Sequence, residues 1–164
     1  MIFRKFSLML WLVFSMPFSN AADGQEIQLQ PFNASSYQEI LAANKEQAFV
    51  LVLWSTTCSS CLKDMDLLKN IHQEQPSFKI ITLSTDDLSE TDEIKTILSQ
   101  HELGNLENWV FADPNSQKLR FQIDPKWYGE LPRTYFFDAQ HQRTGVSGAF
   151  SRDKFLAMLQ KIVK

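Results

Sequence analysis

Two cysteines, Cys58 and Cys61, are the only ones in the chain, and two residues separate them. They close the stretch Trp54-Ser55-Thr56-Thr57-Cys58-Ser59-Ser60-Cys61. The run before it, Ala48 to Trp54, is uncharged and reads as a strand buried on both faces. The run after it, Leu62 to His72, has apolar residues at helical spacing. A cysteine at a strand-to-helix junction meets unpaired N–H groups and the positive end of the helix dipole, which favour thiolate over thiol. Thiolate is the attacking species in disulfide exchange. A second cysteine one turn further on can close an intramolecular disulfide and release a bound partner. On this reading Cys58 is the nucleophile and Cys61 the resolving thiol.

Two other chemistries use the same pair. A Cys-x-x-Cys can supply half of a zinc site, but it fills two of four positions, and His72, His101 and His141 have no paired spacing. No metal ligand is therefore assigned. A purely structural disulfide is the other option, but so short a loop constrains little unfolded-state entropy.

The 164 residues suffice for one domain with its own core. Net charge is −3, so composition lends no support to nucleic-acid binding. No haem motif, P-loop or dinucleotide fingerprint is present, and no bound cofactor is expected beyond the redox-active cysteine pair. The N-terminus reads separately from the fold. Arg4 and Lys5 precede an apolar stretch from Phe6 to Phe18, and Ser19-Asn20-Ala21 supplies small residues. This pattern predicts a secretory signal peptide over residues 1–21, cut after Ala21 or Ala22. An uncleaved anchor is the alternative, and only then would the chain meet a membrane. The apolar run is short for a span. Export places the cysteines in an oxidising compartment, where an isolated catalytic pair has its redox state held by a partner protein.

The rest of the chain must position the pair. Glu26 to Gln30 is expected as a first strand stopped by Pro31, and Ser35 or Ser36 as the cap of a helix to about Asn44, with Ser36 and Glu39 spaced as a capping box. Phe78 to Leu83 reads as a strand ending in the polar loop Ser84-Thr85-Asp86-Asp87. Ser89 or Thr91 is expected to cap a helix stopped by Gly104. Trp109 to Ala112 follows as a strand, then a helical turn carrying Leu119, Phe121 and Ile123. After a loop at 124–129, Tyr135 to Phe137 and Arg143 to Ser147 are expected as a strand and an edge strand, and Ser151 as the cap of a last helix. Alternating strands and helices predict one α/β domain with helices on both faces of a sheet.

These residues resemble a known family. Trp-x-x-x-Cys-x-x-Cys after a buried strand, then Leu131-Pro132-Arg133-Thr134 leading into an aromatic strand, a hairpin and a final helix, is similar to the thioredoxin fold. The long separation between Cys58 and Pro132 leaves room for the additional strand and helix of the periplasmic TlpA-like branch, also called ResA- or DsbE-like. Cys61-Leu62-Lys63-Asp64-Met65 is similar to that branch's Cys-x-x-Glu-Met, with aspartate for glutamate. Leu83 to Asp87 and Tyr128 to Asp138 match its strand-end loop and its proline strand.

The resemblance implies a thioredoxin-like domain over 22–164, with a central mixed sheet and a strand–helix insertion after the Cys-x-x-Cys helix. It implies thiol–disulfide exchange with protein dithiols and disulfides, more often as a reductant, fed by a membrane electron-donor protein, in the periplasm or otherwise exported. It implies a cis Pro132, with Leu131 beside Cys58 to receive a substrate strand, and Trp54 packing under or beside the site. Glu130 and Asp64 are candidate proton acceptors for Cys61, Arg133 is a candidate partner of thiolate or acidic surfaces, and Trp127 and Tyr128 are candidate rim residues. The chain departs from the pattern at Val52, where thioredoxin carries a buried aspartate, at the Ser59-Ser60 dipeptide, and at Asp66, which replaces a helix-kinking proline. An oxidase or isomerase for secreted proteins, and a non-enzymatic metal- or partner-binding module on the same fold, remain as alternatives.

Overall fold

The computed structural model describes residues 26–163. The expected leader and its cleavage point lie outside the described residues. Six strands form one sheet: β1 (Leu29–Phe32), β2 (Phe49–Trp54), β3 (Lys79–Ser84), β4 (Glu107–Phe111), β5 (Arg133–Phe137) and β6 (Arg143–Ser147). Their spatial order is β1-β4-β3-β2-β5-β6. The first four are mutually parallel, and β5 and β6 run antiparallel to their neighbours, so the sheet is mixed. Five helices complete the domain: α1 (Ser36–Ala43), α2 (Ser59–Glu74), α3 (Thr91–Gln100), α4 (Ser116–Ile123) and α5 (Arg152–Ile162). The segment α3-β4-α4 separates β3 from β5, and β4 inserts between β1 and β3, as the added strand and helix require.

β2 is central because it has no polar side chain to expose. All six of its residues are buried, and its alternate side chains enter different cores. Val50, Val52 and Trp54 join Met65, Leu68 and Ile71 of α2, Ile94 and Leu98 of α3, and Phe155 and Leu159 of α5. Phe49, Leu51 and Leu53 join Tyr37 and Ile40 of α1 and Leu119 and Ile123 of α4. Helices therefore cover both faces, and α2 lies on the face to which Trp54 points. Val52, at the position of the absent aspartate, is apolar core.

Several local readings change. Pro31 does not stop β1 but sits within it, paired with Val110. β1 is an edge strand, where a residue lacking an N–H loses nothing on its unpaired side. The Ser36–Glu39 capping box does not form. Ser35 precedes the helix without a capping bond and instead donates its hydroxyl to Glu39 at 2.6 Å. Helix α3 is entered through a 3₁₀ turn, Leu88–Glu90, capped by Asp87, and neither Ser89 nor Thr91 is its cap. Phe121 lies on the outer side of α4 and is 64% exposed. Gly104 has a packing reason to be glycine: a Cβ there would stand 2.6 Å from the Ile27 side chain. Ser151 caps α5 by accepting from the Lys154 N–H, as expected. Among the described residues no helix is long and apolar enough to cross a membrane.

Candidate active site

The end of β2 delivers the cysteines to the start of α2. Cys58 is the N-cap of that helix, in extended conformation, and its Sγ accepts from the Cys61 N–H at 3.2 Å. The helix begins at Ser59, three residues before the expected Leu62, so Cys61 lies within its first turn. No acidic residue occupies that turn, which leaves the positive end of the dipole available to sulfur. Cys58 and Cys61 are joined in a disulfide with Cα atoms 5.2 Å apart. Cys58 is partly exposed, whereas Cys61 is 2% exposed and belongs to the core. The Ser60 hydroxyl lies 3.5 Å from Cys58 Sγ.

The backbone before Cys58 is held by the end of the neighbouring strand. Trp54 and Ser84 are opposite each other in the β2–β3 register. Beyond them the Trp54 carbonyl accepts from the Thr85 N–H, at 2.9 Å. The Asp86 carboxylate accepts from the Ser55 hydroxyl at 2.7 Å, the Thr56 N–H at 2.8 Å and the Ser84 hydroxyl at 2.6 Å. Sequence reasoning passed over Asp86 as part of a polar loop. The available signal was that two adjacent strands, β2 and β3, each end in a run of hydroxyl residues.

β5 brings the proline segment to the same end of the sheet, because Leu53 of β2 pairs with Arg133. The Leu131–Pro132 peptide is cis. The Pro132 carbonyl accepts from the Gly148 N–H at 2.9 Å. Among the described residues, neither the N–H nor the C=O of Leu131 has a hydrogen-bond partner. Trp54 is 1% exposed, a core residue of the face that also packs Cys61. Its Nε1 has no partner among the described residues.

The two candidate proton acceptors stand in different environments. Asp64 is half-buried, one turn after Cys61, and its only hydrogen bond among the described residues is from the Phe150 N–H at 3.3 Å. Burial pushes its carboxyl above the ordinary aspartate range, against the lowering effect of that bond. Glu130 is exposed and engaged elsewhere, accepting from the Ser147 hydroxyl at 2.7 Å with Arg133 at 3.7 Å. The little burial it has would raise its pKa, but these partners outweigh it and hold the carboxyl below the ordinary range.

Arg133 is taken up inside the molecule. It pairs with Asp124 at 3.2 Å, bonds Ser147 at 2.8 Å and stacks 4.7 Å above the Tyr135 ring. Asp124 also receives the Tyr135 hydroxyl at 3.0 Å and lies 3.4 Å from Arg143. Burial alone would raise the Asp124 pKa, but the Lys126 N–H, Tyr135 and both arginines hold it below the usual carboxylate range. Sequence reasoning saw only a loop there. The expected rim divides in two: Trp127 is 4% exposed and donates its Nε1–H to the Glu130 carbonyl at 2.9 Å, while Tyr128 is 91% exposed. Among the described residues, no group of three His, Cys, Asp or Glu side chains is placed to hold a metal ion.

Comparison with known proteins gives the fold. A search of protein-family models found no match, and a search of curated proteins found none either. Solved structures do match. A secreted Mycobacterium tuberculosis disulfide oxidoreductase homologous to E. coli DsbE superposes with a TM-score of 0.61 at 19% identity, over 73% of this chain and 85% of that one. A thioredoxin family thiol:disulfide interchange protein from Chlorobium tepidum TLS gives 0.60 at 16% identity, over 74% and 83%. The chain has the thioredoxin fold. A secreted thiol-disulfide isomerase from Corynebacterium glutamicum gives 0.61 at 19% identity, over 74% of each chain. Within the thioredoxin fold, Cys58 and Cys61 occupy the start of the helix that follows the central strand, and Pro132 precedes the strand beside it.

Proposed function

We propose that this chain is an exported thiol–disulfide oxidoreductase that reduces disulfides of partner proteins. The observation that carries the reading is the Cys58–Cys61 disulfide at the N-terminus of α2, with the outer sulfur partly exposed and the inner one buried. In the reduced protein, Cys58 thiolate attacks one sulfur of a partner disulfide. The partner S–S bond breaks, its second sulfur leaves as a thiolate and takes a proton, and a mixed disulfide forms. Cys61 then loses its proton and attacks Cys58 Sγ. The mixed bond breaks, the partner's remaining sulfur leaves as a thiolate and takes a proton, and the Cys58–Cys61 pair, having given two electrons to the partner, closes as the disulfide. A dithiol donor, by resemblance one presented at a membrane, must reduce the pair again.

Asp64 is the proton acceptor we assign to Cys61, because it lies one turn after it on α2 with a carboxyl that burial raises, whereas Glu130 is committed to Ser147 and Arg133. Leu131 and Pro132 shape the substrate side. The unpaired N–H and C=O of Leu131 are the groups that an extended partner segment would bond. Trp54 supports the pair from the core. The leader read over residues 1–21 and the secreted neighbours support export.

The deciding experiment is the equilibrium reduction potential of the pair in a glutathione series. Cys58→Ser, the control, abolishes exchange with a disulfide substrate. A potential near roughly −270 mV is expected for a reductant. One near roughly −120 mV would make the protein an oxidant. A wild-type protein with no exchange activity would overturn the enzyme reading.

A further inference from the structure

We propose that Asp86 is a positioning residue for Cys58, a clamp that holds the Ser55–Cys58 loop so that the nucleophilic sulfur sits on the N-terminus of α2. The inference rests on the oxidoreductase reading above.

Two of the loop's three backbone N–H bonds end on side chains. The Thr56 N–H donates to Asp86 Oδ2 at 2.8 Å. The Thr57 N–H donates to Ser55 Oγ at 3.3 Å, and the Cys58 N–H to the Ser55 carbonyl at 3.1 Å. Ser55 is itself fixed by Asp86, to whose Oδ1 its hydroxyl donates at 2.7 Å. Two of the three N–H groups leading to the nucleophile therefore depend on the Asp86 carboxylate, directly or through the Ser55 hydroxyl, and the third closes the turn onto the Ser55 carbonyl. Ser55 and Thr56 are each 8% exposed, so water replaces these bonds poorly. The carboxylate is in turn anchored to β3, accepting from the Ser84 hydroxyl at 2.6 Å, and the Asp86 backbone N–H donates to Ser84 Oγ at 3.1 Å. Ser84 is fully buried. The clamp thus ties the loop to the rigid end of the sheet, thirty residues away in sequence.

Position matters to sulfur because thiolate stabilisation at a helix start falls off within the first turn. Cys58 Sγ meets the Cys61 N–H at 3.2 Å only while the loop keeps its shape. A negative charge at Asp86 acting simply as a charge would disfavour thiolate, and its removal would favour it. The clamp has the opposite sign, so the two roles separate in one measurement.

The experiment titrates Cys58 thiolate by ultraviolet absorbance in reduced full-length protein carrying Cys61→Ala, and measures exchange rates with the cysteine pair intact. Asp86→Ala is expected to move the thiolate midpoint upward by roughly half to one pH unit. Exchange at neutral pH should slow by about three- to tenfold. Ser55→Ala, which changes no charge, should shift the midpoint in the same direction by less. Asp86→Asn keeps an acceptor for the Thr56 N–H and should recover part of the loss. Phe49→Leu, a core lesion at the far end of β2, should lower the melting temperature without moving the midpoint. An unchanged or lowered midpoint in both Asp86→Ala and Ser55→Ala would overturn the proposal. Because the titration needs no partner, it decides the role of Asp86 even if wild-type exchange proves absent and the oxidoreductase reading falls.

Discussion

Two carboxylates, Asp86 and Asp124, brace the two loops that meet at the cysteine end of the sheet, and they do it with different donors. Asp86 collects hydroxyls and a backbone N–H, and the loop it holds carries Cys58. Asp124 collects two arginines and a tyrosine, and the segment it holds carries Pro132 and the β5–β6 hairpin. The difference follows from their tasks. A cation beside Cys58 would fix the charge of the sulfur, whereas neutral donors fix only its place. Around β5 no reacting atom has to be protected, and charged pairs can lock a hairpin whose β6 strand is an exposed edge. Gly145 belongs to that lock, because a Cβ there would collide with the Arg133 guanidinium.

The contrast predicts that lesions at Asp124 cost stability and leave sulfur chemistry unchanged. Asp124→Asn leaves Arg133 and Arg143 without their shared carboxylate. Breaking a buried pair from one side is costly, though Arg133 keeps Ser147 and Glu130. A loss of about 2 kcal/mol in urea unfolding is expected, with no change in the Cys58 titration. If that titration moves as it does for Asp86→Ala, the division between the two carboxylates breaks.

The acid limb sharpens the same contrast. The folded-state pKa of Asp124 is depressed, so the unfolded chain takes up this proton first as pH falls. Its contribution is present above the ordinary aspartate pKa of about 3.9 and is lost as pH drops through the lower folded value. Asp124→Asn should therefore flatten the fall of stability in acid, measured by urea unfolding at a series of pH values.

Smaller effects come from the loop after Asp124 and from Asp64 on α2. Trp127→Phe removes the bond to the Glu130 carbonyl and should cost roughly 1 kcal/mol. Asp64 has the reverse sign from Asp124. Above the ordinary aspartate pKa the unfolded chain has released its proton while the folded protein still holds it, so stability falls as pH rises through that window. Asp64→Asn should raise the melting temperature slightly at neutral pH, lose that gain below about pH 4, and slow exchange. A faster or unchanged exchange rate would remove Asp64 from the proton path. Tyr128→Ser, at a 91% exposed position, should alter stability by less than about 0.5 kcal/mol.

Much of this molecule was legible in the residues because the deciding signals are local. The uncharged run ending at Trp54, the cysteine pair at a helix start and the aromatic strand after Pro132 each state their role locally, whereas the order in which the strands pair came only with the structure. The α2 boundary was placed late because the Ser59-Ser60 segment has no apolar period, and helix there is set by Cys58 capping. Pro31 misled for a related reason: a proline's cost in a strand depends on whether the strand lies at an edge, which pairing decides. Only the tertiary structure decided the braces. Asp86 and Asp124 read as ordinary loop acids, since their donors lie up to thirty-one and nineteen residues away and are brought near by strand pairing. It also separated Asp64 from Glu130, two carboxylates alike in sequence, because burial raises one and hydrogen bonds with a nearby cation lower the other. The chain's own chemistry specified which atoms can react; long-range packing specified where they are held and which neighbours set their charge.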